Sequence, residues 1–323
     1  MNTILIGIAS YRDDELPKTI ASLLGSAAHP ERLRFAIAHQ YGPETKELLV
    51  PYEHDRRFRV YATSWRDARG VGAARRRCHE MYEGEDFYLQ IDSHMRAQPN
   101  WDQRLETEWA ALNDPMAVIS SYPPAYRYNE RNQEVLIDSR PNRLIVHQIH
   151  AGFIPIFFGK ELPAVVSPRG AFVAGGLQFS AGRICREVLY EPDICFIGEE
   201  FVSSMRLFAA GYRVYSARDQ VLSHLYLRTE HQKNAHHFWK DFQQDAELAA
   251  VYTEFSQKSY EVVRQYFAGE MTVSKEQIRA FENFAGVDIA RSKVHPATYG
   301  MPTLPMAQDD NWRNYAVDPI EQK

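Results

Sequence analysis

Apolar positions in this chain come in short bursts that end abruptly in polar groups. Ile4 to Ala9 is an almost unbroken apolar run, the pattern of a strand buried on both faces of a parallel sheet, and it stops at Ser10-Tyr11-Arg12-Asp13-Asp14. Pro17 then opens a helix through Thr19, Ile20, Leu23 and Leu24, closed by Gly25. Arg34 to His39 predicts a second strand, Thr45 to Leu49 a short helix and Arg57 to Tyr61 a third strand. This alternation predicts an α/β fold with a mostly parallel central sheet flanked by helices.

The next helix, running to Met81 and Tyr82, follows Trp65-Arg-Asp-Ala-Arg-Gly-Val-Gly. Gly70 and Gly72 allow the backbone a close approach to a ligand, with Arg66, Arg69 and Arg75 nearby. The same stretch also reads as a glycine-marked turn into a helix with a solvated basic face. It is not a Walker A loop, because no G-K-[ST] appears. Phe87 to Ile91 is a strand that gives way to Asp92-Ser93-His94. Strand alternation points Asp92 and His94 to one side and Ser93 to the other, at the strand end where open α/β sheets collect ligands. A carboxylate and an imidazole so placed can grip a divalent cation, although a turn cap followed by a solvated histidine has the same spelling.

Further on, Trp101 to Leu112 predicts an amphipathic helix and Ala117 to Ser121 a strand. Short strands follow at Val135 to Ile137, Leu144 to His147 and Phe153 to Phe158. Ala171 to Gly182 reads as a strand broken at Gly175-Gly176, either a bulge or a place where a ligand lies against bare backbone. A helix is expected over Arg183 to Leu189. Glu199 and Glu200 open another helix, which ends at Gly211; they complement its dipole and are also placed to meet a hydroxyl. Tyr212 to Ser216 and Val221 to Tyr226 predict strands, the latter bringing His224 to a second apolar-to-polar transition. Phe238 to Phe267 reads as helical, and Ser274-Lys-Glu-Gln277 is a capping box for a helix closed by Gly286. The reading divides the chain into an α/β domain over 1–235, a helical C-terminal extension over 236–294 and an extended tail over 295–323.

Composition narrows this picture little. The 323 residues are 45% hydrophobic and 24% charged with a net charge of −5, so neither disorder nor a generally basic nucleic-acid surface is indicated. Three cysteines without a CxxC suggest no disulfide framework and no structural zinc site. No stretch is long and apolar enough for a membrane span, and the amino terminus lacks a signal-peptide pattern, so a cytoplasmic setting is expected.

Taken together, Ile8-Ala-Ser-Tyr-Arg-Asp13, Ala68-Arg-Gly70 with Ala74-Arg75, Leu89-Gln-Ile-Asp-Ser-His-Met-Arg96 with Trp101-Asp102, Phe196-Ile-Gly-Glu-Glu200 and Ser223-His-Leu-Tyr226 resemble the hydroxyproline-polypeptide GlcNAc-transferase family. The resemblance covers roughly residues 3 to 290 and implies a GT-A nucleotide-sugar-binding fold. It implies metal-dependent transfer of N-acetylglucosamine from UDP-GlcNAc to a hydroxyl with retention of configuration. Asp92 and His94 would bind the cation with His224 completing the site. Manganese is the expected ion, with magnesium as the alternative. Ser10, Tyr11 and Arg12 would line the uridine pocket, and Arg69 and Gly70 would touch the nucleotide. Gly175 and Gly176 would offer bare backbone to it. Glu199 and Glu200 would face the acceptor or the transferred sugar, and Arg228 is the candidate for the leaving diphosphate. The acceptor is expected on a polypeptide, with a glycan or a modified nucleic-acid base as alternatives. A metal-dependent phosphohydrolase or nucleotidyltransferase could use the same Asp92 and His94, and a catalytically silent sugar-nucleotide-binding module is the third reading.

Overall fold

The computed structural model describes residues 2–137, 140–163, 167–226, 236–299 and 310–320. The first half alternates as its hydrophobic pattern predicts: β1 (Ile4–Tyr11), α1 (Leu16–Ser26), β2 (Leu33–Tyr41), β3 (Phe58–Ser64), α2 (Val71–Glu80) and β4 (Phe87–Asp92). These four strands lie in the order β3-β2-β1-β4, all parallel. The unbroken apolar run of β1 has a direct cause. Ile4, Ile6 and Ile8 pack on one face with Leu16, Ile20 and Leu23 of α1, while Leu5 packs on the other with Ala74 and Cys78 of α2. Full burial of such side chains contributes about 1.5–3 kcal/mol each.

The chain continues through β5 (Met95–Ala97), α3 (Trp101–Ala111), β6 (Ala117–Ile119), a small hairpin of β7 (Tyr126–Tyr128) and β8 (Glu134–Leu136), and a long one of β9 (Asn142–His150) and β10 (Ile154–Glu161). Then come β11 (Arg169–Gly170), β12 (Leu177–Ala181), α4 (Ile184–Glu187), α5 (Glu199–Ala209), β13 (Arg213–Tyr215) and β14 (Leu222–His224). Beyond β4 the sheet runs β12-β6-β13-β11, making eight strands. Here β12 is antiparallel to both its neighbours, while β13 is parallel to β6.

Up to β14, three elements differ from the sequence pattern. Residues 45–49 form turns rather than a helix, because the Thr45 hydroxyl takes the Gly42 amide at 2.9 Å, a side-chain bond that competes with helix formation. The helix expected over 183–189 contracts to the single turn of α4. The strand expected from Ala171 begins only at Leu177, since the amides of Val173, Ala174 and Gly175 donate to Ser204 Oγ, Ser120 Oγ and Glu200 Oε1 instead of a neighbouring strand.

After α6 (Phe238–Gln244), which packs in a separate aromatic cluster, α7 (Ala249–Ala268) and α8 (Lys275–Ala285) build a second core with Phe172 and Phe201. The predicted helix over 238–267 is divided at Asp245, whose side chain accepts from the amides of Glu247 and Leu248 in the turn between α6 and α7. The Ser274 capping box is formed in both directions, and Gly286 closes α8 at a φ of 66°. A minor hairpin of β15 (Val287–Asp288) and β16 (Lys293–Val294) follows. Residues 310–320, expected as part of an extended tail, dock onto it. Trp312 is fully buried, and the Arg313 guanidinium pairs with Glu282 at 3.0 Å and Asp288 at 3.2 Å.

Candidate active site

The site gathers where β1 and β4 end side by side, Ala9 in register with Asp92. Asp92 is the last residue of β4, and the chain bends through Ser93 and His94 before β5 resumes. Strand alternation therefore stops at Asp92. Ser93 and His94, expected on opposite sides, instead reach the same acceptor: Ser93 Oγ lies 2.6 Å and His94 Nδ1 2.7 Å from Oδ2 of the buried Asp13.

The antiparallel pairing of β5 with β14 sets His224 opposite Met95. It puts His224 Nε2 3.2 Å from Asp92 Oδ2, and the rings of His94 and His224 meet edge to face at 4.6 Å. One ligand atom from each of Asp92, His94 and His224 lies within 4.8 Å of the others. The buried Nδ1 of His224 has no hydrogen-bond partner. Two imidazoles and a carboxylate, one imidazole oriented from behind by a second carboxylate, are the donor set of a transition-metal site, so these residues fit a divalent cation.

Electrostatics favour the ligand states. Burial alone would raise the Asp92 pKa, but the bond to His224 and the Arg75 guanidinium hold it well below the usual carboxylate range. Burial lowers the His224 pKa and keeps its ring neutral, as a ligand must be. Arg75 is buried under the site, donating through Nη2 to Asp92 Oδ1 at 3.0 Å and through Nη1 to Glu199. Among the described residues, Glu200 forms no ion pair with a guanidinium, although the charge of Arg75 acts on it from beside Glu199. It accepts from the Gly175 amide at 2.7 Å and from Tyr122 Oη at 2.9 Å. Burial, followed by the charge of Glu199, pushes its pKa up to about 7.

The glycine pair serves close approach. A Cβ on Gly176 would stand 2.8 Å from Asp92 Oδ2, and one on Gly175 would stand 2.7 Å from Arg75 Nη1. At the end of β1, Ser10 is buried with its Oγ unpartnered, while Tyr11 and Arg12 contact α6. Arg69 is exposed at the start of α2. Gly70 has a φ of 94°, and the close approach it permits is to the Cys195 backbone. The first α2 amides, of Val71 and Gly72, donate to the carbonyls of Cys195 and Ile194 at 2.8 and 3.2 Å. Arg228 lies outside the described residues.

Asp13, Arg75 and Tyr122 are contributors that the hydrophobic pattern does not single out as site residues. Asp13 had a signal, being the polar stop of β1 beside β4. Arg75 reads either as a basic group near a ligand or as part of a solvated helix face, and its burial under Asp92 depends on tertiary packing. Tyr122 lies just past a short strand with nothing local to mark it.

A family model described as Glycosyltransferase (GlcNAc) matches residues 3–56 and 51–301. The chain belongs to this GlcNAc glycosyltransferase family. No curated protein matches it by sequence. Among solved structures, this family member resembles GalNAc-T7 crystallised with UDP, GalNAc and Mn2+, at a TM-score of 0.60 and 16% identity over 87% of this chain. The match covers 54% of the GalNAc-T7 chain, so this chain spans about half of that structure's length. S. aureus TarS 1-349 in complex with UDP-GlcNAc matches at a TM-score of 0.45 and 12% identity, over 88% of this chain and 80% of that one. The fold is that of the GT-A glycosyltransferases. Among the described residues, no helix is long and apolar enough to cross a membrane.

Proposed function

We propose that this chain transfers N-acetylglucosamine, or a related sugar, from a UDP-sugar to a hydroxyl on a polypeptide, with a divalent cation and with retention of configuration. One observation carries this reading. In a member of the GlcNAc glycosyltransferase family, Asp92, His94 and His224 converge at the carboxyl end of β4, where doubly wound sheets bind their ligands. That GalNAc-T7, of the same fold, binds UDP, GalNAc and Mn2+ supports the donor class and the ion.

Asp92, His94 and His224 would hold the cation, which two imidazoles bias toward manganese. When bound, it would offset the negative charge that grows on the leaving UDP. Asp13 fixes the His94 ring so that the ligand is oriented before the ion arrives. Ser10, Tyr11 and Arg12 would line the uridine side of the crevice; Arg69, exposed before α2, is free to reach the nucleotide, whereas Gly70 is taken up in packing against Cys195. The bare backbone of Gly175 and Gly176 lets Arg75 and Asp92 pack directly against it, which holds those two charged groups under the site.

Glu199 is engaged by Arg75 and Glu200 by Gly175 and Tyr122, which supports orienting roles for both. With retention, the acceptor hydroxyl attacks from the face the phosphate leaves, so neither glutamate needs to act as a nucleophile. Near neutral pH Glu200 carries its proton part of the time, so it can accept a hydrogen bond from an incoming hydroxyl or donate one to the sugar.

The deciding experiment is UDP release from UDP-GlcNAc with Mn2+, with and without a lysate as acceptor source. Lysate-dependent UDP release supports transfer. Release of UMP or phosphate instead, or no release under any condition, refutes it.

A further inference from the structure

Helix α6 lies across the carboxyl end of β1. Phe238 and Phe242 are buried in one aromatic cluster with Tyr11 and Trp65, the Tyr11 and Phe238 rings meeting edge to face at 5.8 Å. On the same helix, Asp241 turns its carboxylate toward the strand end. Its Oδ2 accepts from Tyr11 Oη at 3.2 Å and Arg12 Nη1 at 2.9 Å, and lies 2.9 Å from His236 Nδ1. These contacts all fall on Oδ2, whereas a carboxylate can accept on both oxygens.

The geometry of Arg12 is unusual. Its φ of 47° puts a non-glycine residue in the left-handed region, a strain that persists where surrounding contacts enforce it and that clusters at ligand sites. Its guanidinium lies 4.7 Å over the Trp65 ring, and Nε donates to Glu44 Oε1 at 2.7 Å. With Glu44 and Asp241 both on it, Arg12 is already neutralised within the protein. Among the described residues, Asp241 keeps its Oδ1 without a hydrogen bond and can still offer that oxygen to a ligand at this strand end.

Position relates this carboxylate to the cation site. The sheet order reverses at β1, with β2 and β3 on one side and β4 on the other, and ligands of such sheets occupy the crevice at that point. Consecutive residues after β1 serve its two ends, Asp13 holding His94 and Arg12 holding Asp241. A nucleotide with its diphosphate at Asp92, His94 and His224 therefore extends its nucleoside toward α6. A carboxylate accepts hydrogen bonds and cannot donate them. The vicinal donors of a nucleoside are the 2′ and 3′ hydroxyls of ribose, the groups that an acidic side chain takes in other dinucleotide-binding sheets.

We propose that Asp241 accepts hydrogen bonds from the ribose hydroxyls of the donor nucleotide, making α6 a wall of the donor pocket and the protein selective for ribonucleotides. This rests on the UDP-sugar reading above and adds to it a residue from the C-terminal helical region.

Calorimetric titration of the full chain with UDP, 2′-deoxy-UDP and 3′-deoxy-UDP in Mn2+ tests it. The wild type should bind UDP at least about tenfold more tightly than one of the deoxy analogues, the size expected for a hydrogen bond to a charged group. Asp241→Asn should bring that ratio within about twofold. Arg66→Ala removes the ion pairs from Arg66 to Asp245 and Glu247 beyond α6 without touching Asp241. It should keep the ratio even where overall affinity falls, which separates ribose recognition from mere docking of the helix. Equal wild-type binding of all three nucleotides, or a ratio unchanged in Asp241→Asn, overturns the proposal, and the wild-type comparison alone can do so if the variant does not fold. Absence of UDP binding to the wild type is a different failure, and it refutes the UDP-sugar reading itself.

Discussion

The two walls of the crevice are built on opposite electrostatic terms. On the β4 wall each ionisable group has a charged or ionisable partner: Asp92 has Arg75 and His224, and His94 has Asp13. On the α5 wall Arg75 forms its ion pair with Glu199, and the hydrogen bonds of Glu200 come from an amide and a phenol. One wall is preset for charge and the other tolerates a carboxyl that is half neutral. That is the division of labour a transferase needs between a charged leaving group and an uncharged hydroxyl.

The largest effect should come from removing the charge on which the first wall depends. Asp92→Asn keeps the shape of the side chain but not its anionic oxygens, and transfer should fall by about 10²–10³-fold, as when a principal transition-state contact is lost. The same variant should lose the rise in melting temperature that UDP gives only with Mn2+. Stabilisation by UDP that survives in chelator would mean that UDP binds without the cation, and would count against Asp92, His94 and His224 as its ligands. Next in size is Arg75→Met. It leaves Asp92 and Glu199 facing each other without their shared cation, and breaking a buried pair from one side costs about 3–5 kcal/mol. Urea unfolding should register that loss. A variant as stable as the wild type would mean that Arg75 does not hold the two walls together.

How far this contrast can be read from the amino-acid order differs between the walls. The β4 wall is legible because it ends a parallel strand: Phe87 to Ile91 is apolar, Asp92 and His94 are suddenly not, and the neighbouring β1 stops in the same way at Ser10 to Asp13. What the order misreads there is geometry. Alternation separates Ser93 from His94, yet the bend after Asp92 delivers both to Asp13, because strand periodicity applies only while the strand lasts. The α5 wall is legible as residue types and not as shape. Gly175-Gly176 and Glu199-Glu200 are conspicuous, but residues 173–175 leave the sheet to bond side chains of Ser204, Ser120 and Glu200, partners 31, 54 and 25 positions away. Long-range side-chain acceptors leave no local period, and the same holds for Arg75, whose partners come from β4 and α5.

A smaller effect is expected behind the first wall. Asp13→Asn retains a hydrogen-bond acceptor for His94 but removes the carboxylate that fixes the ring, and loss of such a partner typically costs 10–100-fold in metal affinity. Mn2+ titration followed by electron paramagnetic resonance should give that loss, with transfer at saturating Mn2+ close to the wild type. Unchanged Mn2+ affinity would remove Asp13 from the cation site and leave it a structural tie between β1 and the bend.

The smallest effect concerns the second wall and is read through pH. The Glu200 pKa, pushed up to about 7 by burial and by Glu199, exceeds the value of about 4.3 expected for an unfolded glutamate. Between those values the native state binds more protons than the unfolded one, so stability falls as pH rises. The contribution of the neutral carboxyl is thus complete below about pH 4.3 and gone above about pH 7. Glu200→Gln keeps a neutral side chain of the same length, so its melting temperature should lose this decline. Measured in metal-free buffer, the wild-type minus variant difference should drift against the wild type by on the order of 1 kcal/mol from pH 5 to 7.5. A difference that stays flat across that range would show Glu200 to be an ordinary ionised carboxylate, and the contrast between the two walls would fail with it. A drift of the opposite sign would mean that a cation reaches Glu200 after all, and Arg75, which already adjoins Glu199, is the nearest source of one.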